Sequence, residues 1–296
     1  MGRQLTAWVL VLVGCGLTLG AQSRPPQSAG LWAPLEPPTS APYVAPTAPE
    51  SALLQQLIAQ AQQEAVADTE LLPLVAQALK SANPHVRANA FATLQVAMMA
   101  LRATPGDRSA SRRAVVSAAG LVLALDGLRD EDGAVRRYAL TTIASLDLDA
   151  AQRDRVKMLC ATLFERDPEP MVRVESLGWL LRLPGAAGGA RALIERAIGD
   201  RSPSVKAAGF LALWTRQVPD FVPFVLGKLH DESDRMNRIT AAAALLNVVT
   251  VDPSVMDAVS ARLALETDPV VRQRLAGTVS AMRETLARTK KPGAND

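Results

Sequence analysis

The sequence DPEPMVRVESLGWL, residues 167–180, decides the fold, because five other segments of the chain repeat its pattern. These segments are ANPHVRANAFATL at 82–94, DEDGAVRRYALTTI at 130–143, RSPSVKAAGFLAL at 201–213, ESDRMNRITAAAAL at 232–245 and DPVVRQRLAGTV at 268–279. When the segments are aligned on Arg173, mostly apolar or small residues recur one position before this anchor and three, four and seven positions after it. Because these offsets lie on one face of an α-helix, each segment is predicted to be an amphipathic helix with the same buried stripe.

Another apolar helical stretch precedes each of these segments, so each repeat is predicted to be a helical hairpin. A polar residue followed by proline marks several starts of the second helix, as in Ser202-Pro203 and Asp268-Pro269. In four of the six repeats an acidic residue stands six positions before a basic anchor. The anchors are Arg87, Arg136, Arg173, Lys206, Asn237 and Arg272. The polar residues 103–113 are predicted to form a larger loop between the first two hairpins.

These marks resemble HEAT repeats, including the bacterial HEAT-like variety related to phycobilisome-lyase repeats, over about residues 69–288. The resemblance implies an all-α, right-handed α-solenoid of about six hairpins, and a ladder of acidic and basic side chains between neighbouring repeats. The expected ladder residues are Asp130, Arg136, Asp167, Arg173, Asp200, Lys206, Asp231 and Arg272. Asn237 stands at a basic position and Ser81 at an acidic one, so the ladder is expected to be weaker in those two repeats.

The composition agrees with a helical fold and narrows the classes of function. Hydrophobic residues make up 49% of the 296 residues and aromatic residues only 4%, which favours helices over sheets. The 32 basic and 29 acidic residues nearly balance, so no strong positive field is available to bind nucleic acid. Two histidines and two cysteines argue against a metal site, and no catalytic constellation or cofactor motif is found.

The first 23 residues are predicted to be an export signal, because Arg3 precedes the apolar core Leu5–Val13. Residues 12–15, Leu-Val-Gly-Cys, resemble a bacterial lipobox, which implies lipidation of Cys15 and anchoring in a membrane. In a Gram-negative cell, Gly16 would then match lipoproteins of the outer membrane. The alternatives are cleavage at Ala21-Gln22-Ser23, which would secrete the protein, and an uncleaved anchor.

A proline-rich tether is predicted at 24–49, because eight of the chain's 20 prolines fall between residues 22 and 50. An N-terminal capping helix is expected at 50–68, the repeats at 69–288 and a disordered tail at 289–296. Cys160 lies in an apolar helical run and is predicted to be a buried, inert thiol.

A protein-binding concave face is the candidate functional surface, because repeat arrays present one helix of each hairpin along such a face. The candidate residues point away from the predicted buried stripe or lie on its flanks, and they are Arg137, Tyr138, Glu175, Trp179, Leu211, Trp214, Arg238, Ile239 and Arg274. Tight curvature could instead pack these positions together, and the two tryptophans could belong to the core.

We therefore expect a non-enzymatic scaffold or adaptor of the cell envelope that binds a protein partner. The alternatives are an exported enzyme-accessory protein, related to the lyase-like or chaperone-like members of the HEAT-like family, and a structural spacer without a ligand. Membrane association would come from the N-terminal lipid or anchor, and neither nucleic acid nor metal is expected as a partner.

Overall fold

The computed structural model describes residues 43–62, 68–103, 107–182, 187–215, 221–231 and 233–289. Over these ranges the chain is all-α: it forms 13 helices and no β-strand. The expected export signal, the lipobox with Cys15, nearly all of the tether and nearly all of the tail lie outside the described residues. No helix within the described part is long and apolar enough to cross a membrane.

The 13 helices are numbered here in chain order. They are α1 (Ala48–Gln62), α2 (Asp68–Ala78), α3 (Pro84–Ala103), α4 (Asp107–Gly127), α5 (Gly133–Ser145), α6 (Ala150–Arg166), α7 (Pro170–Arg182), α8 (Ala187–Ile198), α9 (Pro203–Thr215), α10 (Phe221–Leu229), α11 (Arg235–Leu246), α12 (Ser254–Leu265) and α13 (Pro269–Thr289). After α1, the helices follow one another as six consecutive pairs. The helices α3, α5, α7, α9, α11 and α13, each the second of its pair, contain the six repeated segments.

The described chain divides into two compact units, of which the first ends at Val156 and the second begins at Lys157, within α6. In the first unit, α2 packs against α4 in one layer, and α1, α3 and α5 pack side by side in the other. In the second unit, α10 and α12 belong to one layer and α7, α9, α11 and α13 to the other. Each unit is therefore a two-layer stack of helices in which equivalent helices are neighbours.

The buried stripe predicted from the repeats forms the core of both units. The valines before the anchors are buried, and so are most of the large apolar residues three or four positions after the anchors. These residues are Val86, Phe91, Val135, Leu140, Val172, Leu177, Val205, Phe210, Val271 and Leu275. The apolar pattern thus predicts correctly which face of each second helix is buried, and burial of these side chains supplies most of the driving force for folding.

The starts of the second helices are fixed by short polar side chains. Asp132 accepts hydrogen bonds from the backbone N–H groups of Ala134 and Val135 at the start of α5, at 2.8 and 3.2 Å. α9 and α13 begin at prolines, as predicted. The pair Asp167-Pro168 has the same pattern and predicts a start at Pro168, but α7 begins at Pro170. Asp167 instead accepts a hydrogen bond from the N–H of Glu169, at 2.9 Å, in the turn before this helix.

The expected loop at 103–113 is wrong in its extent. α3 continues to Ala103 and α4 already begins at Asp107, so most of the additional residues lengthen two helices. Asp147, which follows α5, forms ion pairs with Arg102 of α3 at 2.8 Å and with Arg113 of α4 at 3.3 Å. Its hydrogen bond to Arg102 contributes most to lowering the pKa of the Asp147 carboxyl. The extension is thus held to the turn after α5.

Candidate functional site

Arginine side chains connect successive turns in the first unit. Arg87 Nη1 donates to the backbone carbonyls of Ser81 and Ala82, at 3.0 and 3.1 Å, within its own turn. Its Nε and Nη2 donate to the two carboxylate oxygens of Asp130 in the following turn, at 2.7 and 2.8 Å. Arg136 repeats the first half of this arrangement, since its Nη1 lies 2.9 Å from the carbonyl oxygens of both Asp130 and Glu131.

The same arrangement occurs in the second unit. Arg173 Nη1 donates to the carbonyl of Asp167 at 2.8 Å, while its Nε and Nη2 reach the carboxylate of Asp200 at 3.0 and 2.7 Å. Asp200 also accepts a hydrogen bond from the N–H of Ser202, at 2.7 Å, and so closes its own turn. We call this repeated set of contacts the arginine ladder. Arg87 and Arg173 each bind their own turn through backbone carbonyls and the next turn through a carboxylate, with strong bidentate geometry.

The structure corrects the expected ladder partner of Lys206. Lys206 Nζ contacts Asp234 Oδ2 at 2.8 Å, and Asp231 is not the carboxylate that it meets. Asp231 instead accepts hydrogen bonds from the Ser233 hydroxyl at 2.6 Å and from Asn237 Nδ2 at 3.1 Å, and these bonds, led by Ser233, lower its pKa to about 2. The turn between α10 and α11 therefore presents a different aspartate, the N-cap of α11, to the preceding repeat.

The fifth repeat is not weaker, because Arg238 takes the place that Asn237 was expected to leave empty. Arg238 Nη1 donates to the carbonyl of Asp231 at 2.9 Å, and Nε donates to Glu266 at 2.8 Å. Glu266 also forms an ion pair with Arg262 at 2.9 Å, and its side chain is only 1% exposed. Arg272, the last anchor, is exposed and donates from Nε and Nη2 to the carbonyl of Glu266.

Three residues expected on the binding face are buried and are removed from it. Trp179 of α7 is covered, since this helix packs against both α8 and α9. Arg238 and Ile239 belong to α11, which is enclosed by α9, α10, α12 and α13. The small side chains of Ala241–Ala244 allow these neighbours to approach from all sides. Trp214 lies near the end of α9, and its side chain is outside the described part of the structure.

The other expected residues reach the surface in their separate units. In the first unit, Arg137 and Tyr138 of α5 are partly exposed, with the guanidinium carbon 5.0 Å from the ring centroid. In the second unit, Glu175 of α7 and Arg274 of α13 are partly exposed, and Leu211 of α9 is 50% exposed. A leucine exposed to this extent on a well-packed helix marks this surface as a candidate for recognition.

Leu211 is part of a continuous apolar surface on α7 and α9. Val174, Gly178, Ala207 and Ala208 occupy the same outward positions of these adjacent helices, and all are partly exposed. A Cβ atom at Gly178 would have only the Arg182 guanidinium within 4 Å, at 3.8 Å, so the surface is shallow there. We call these five residues the open strip. The sequence signal of these residues is their outward offset from the anchor.

Two charged groups border the open strip. Glu175 and Arg182 lie seven residues apart on α7, which places them about 10 Å apart along the helix axis. Neither side chain has a hydrogen-bond or ion-pair partner among the described residues. An apolar centre with unpaired charges at its edge is the composition of a protein-recognition surface.

The described residues offer little acid–base or nucleophilic chemistry near this strip. Cys160 is fully buried, as predicted, and burial raises the pKa of its thiol to about 12, so the reactive thiolate does not form near neutral pH. Among these residues no group of three potential metal ligands comes together. The arrangement is suited to binding, since its distinguishing groups are apolar side chains and fixed charges.

One family model matches part of the chain, within the second unit. Residues 190–279 match the family model described as HEAT repeats. The crystal structure of the archaeal HEAT-like repeats protein from Thermococcus onnurineus NA1 is similar at 16% sequence identity with a TM-score of 0.37, covering 82% of this chain and 100% of that chain. A search of curated proteins gives no match. Residues 190–279, which include α9, α10 and α11, are therefore similar to HEAT repeats.

Proposed function

We propose that this protein is a non-enzymatic scaffold or adaptor of the cell envelope that binds a protein partner through the outward face of its second helices. The observation that carries the proposal is the open strip. Leu211 of α9 is half exposed there, whereas the core residues of α7 and α9 are buried. Leaving an apolar strip in water costs free energy that a bound partner recovers.

The envelope part of the proposal is supported by the sequence alone. The apolar core Leu5–Val13 and the lipobox-like residues before Cys15 are the pattern of an exported, lipid-anchored protein. Mass analysis of the N-terminus of the protein purified from membranes tests it. A diacylglyceryl group on Cys15 is expected, and an unmodified N-terminus near Arg24 would mean that the protein is secreted.

The binding part is tested at Leu211. A photoreactive side chain at this position should cross-link one partner in intact cells, whereas the same group at Val251, which is 77% exposed in the turn before α12, should not. Leu211→Asp should then remove the cross-link formed from a neighbouring photoreactive position, Ala208, with unchanged helicity. A spacer without a ligand would show no discrete adduct from either position.

A further inference from the structure

A second apolar surface lies on α4, in the other unit and in the layer of first helices. Val115 and Val122 of this helix are 52% and 67% exposed, and Ala118 lies between them, also exposed. Together with Ala119 they form what we call the α4 stripe. No charged residue occurs from Ala114 to Leu125, so more than three turns of this surface are uncharged.

The α4 stripe is complementary to itself when a second copy is turned end to end. Val115 and Val122 are equally distant from the midpoint between Ala118 and Ala119, and seven residues bring a helix back to nearly the same face. In an antiparallel pair centred there, Val115 of each copy meets Val122 of the other. The alanines lie at the centre, where their small side chains let the two backbones approach closely.

The charges at the ends of the stripe fit the same pairing. Ser111 and Arg112 stand at its beginning and Asp126 at its end, and each is close to seven residues from the midpoint. The side chains of Arg112 and Asp126 have no partner among the described residues. An antiparallel second copy brings Ser111 and Arg112 towards Asp126 at both ends, so one contact is formed twice, as two-fold symmetry requires.

We propose that two copies of this chain associate through their α4 stripes in an antiparallel, two-fold symmetric pair. The interface is a different face from the open strip, so it does not depend on the proposed function. One helix from each copy buries less than about 1,000 Å² in total, which is the size of weak or transient interfaces. The Kd of the dimer is therefore expected to be tens to hundreds of micromolar, which corresponds to a binding free energy of about −5 to −6 kcal/mol.

Sedimentation velocity of the full chain from about 10 to 500 µM tests the association. The full chain carries Cys15→Ser, so that the N-terminal thiol contributes neither lipid nor disulfide. The chain with the wild-type stripe should show a concentration-dependent dimer. Val122→Asp should raise the Kd of this dimer at least about tenfold, because the interface would then bury one carboxylate from each copy. Val251→Asp is the matched control and should leave the dimer unchanged. A monomer throughout this range, or equal dimerisation of the Val122→Asp chain, would overturn the proposal.

Disulfide trapping tests the register. A mixture of the Val115→Cys and Val122→Cys chains should form the mixed disulfide at least about five times faster than either chain cross-links to itself, since like positions lie about 10 Å apart along the paired axes. Cys160 is buried and does not compete. Faster self-linkage of each single variant would indicate a parallel pair, and no preference over a Val251→Cys control would show that something other than a second copy covers this face. Either result contradicts the proposal.

Discussion

Glu266 is the most deeply buried charge in the arginine ladder. It accepts from Arg238 at 2.8 Å and from Arg262 at 2.9 Å, and it also accepts hydrogen bonds from the backbone N–H groups of Thr267 and Asp268. One carboxylate thus forms ion pairs with two buried guanidinium groups and closes the turn before α13. Removing its charge leaves both arginines in a medium that solvates them poorly.

Glu266→Gln is therefore expected to lower the free energy of unfolding by about 3–5 kcal/mol, the usual cost of breaking a buried ion pair. Urea denaturation followed by circular dichroism measures it. Glu195→Gln is the matched control, because its ion pair with Arg191 is nearly half exposed on both sides and should contribute less than about 1 kcal/mol. Similar losses in the two variants would show that burial of the Glu266 cluster adds nothing.

The stability difference between the wild type and Glu266→Gln should also depend on pH. Burial alone would raise the pKa of Glu266, but the N–H of Asp268 and the Arg238 guanidinium outweigh it and hold this pKa below its ordinary value. A carboxyl whose pKa falls on folding stabilises the native state fully above its unfolded pKa of about 4.3, and loses that effect as the pH drops through the folded pKa. The difference should be constant from about pH 5 to 8 and should shrink below about pH 4. A difference that grows in acid would contradict this assignment.

One residue of turn length explains the ladder error. The expectation rested on a separation of six positions between the acid and the base, which pointed from Asp231 to Asn237. The turn before α11 contains one residue more, so Arg238 reaches the carbonyl of Asp231 and Asp234 caps the helix. The signal was present, because Asp234 stands two residues before Met236 as an N-cap and Arg238 directly follows Asn237. Spacing alone could not distinguish the two registers.

At the level of the helices, close approach within a hairpin depends on glycine. A Cβ atom at Gly209 of α9 would lie 2.9 Å from Ile198 Cγ1, 3.0 Å from Ala197 Cβ and 3.1 Å from Ile198 N. Two of these atoms belong to short or branched side chains and one to the backbone, so none can move away cheaply. Gly209 thus sets the distance between α8 and α9.

Gly209→Ala should destabilise the protein by about 1–3 kcal/mol, since the added methyl forces the two helices apart. Thermal unfolding measures the effect, with Gly227→Ala as control. Gly227 lies within α10, and a Cβ there meets nothing within 4 Å, so alanine should stabilise the helix by about 0.5–1 kcal/mol through its propensity. The same sign of shift for both substitutions would refute the close-packing argument.

The helices also show where local sequence signals fail. Residues 103–113 contain proline, glycine and several polar residues, which is typical of a loop, yet they contribute the end of α3 and the first turns of α4. Asp147, the partner of Arg102 and Arg113, follows another helix, α5, and lies 45 residues after Arg102 and 34 residues after Arg113 in the sequence. Periodicity predicts the presence of a helix well, but its length depends on such distant contacts.

At the scale of the molecule, the fold class and the buried face followed from the repeats, whereas the candidate surface followed only in part. Val86, Val135, Val172 and Val205 are buried at the positions that the repeated apolar pattern predicts. Ile239 and Ala208 stand at the same offset from their anchors, yet Ile239 is buried and Ala208 is partly exposed. Outward exposure thus depends on the packing of each helix, which the repeat pattern does not encode.

Local stability within the second unit should follow this difference in enclosure. α11 is covered on all sides, whereas α13, the last helix, has neighbours on one side only and exposes Arg272, Ala276, Ser280 and Arg283. Hydrogen exchange read by mass spectrometry should therefore be slowest in α11 and fastest in the final turns of α13. Equal protection of the two helices would mean that this unit opens as a single cooperative block.

In the arginine ladder, an arginine such as Arg87 binds both its own turn and the next one, and this affects how such a chain can change in length. A duplicated hairpin brings along both the guanidinium that reaches forward and the carboxylate that receives the one behind, as the pairs Arg87–Asp130 and Arg173–Asp200 show. Inserting or deleting a hairpin that carries both groups in the register of Arg87–Asp130 therefore leaves a matching partner on either side of it. Gene duplication can thus lengthen or shorten this protein in steps of one hairpin, without redesigning the junctions on either side.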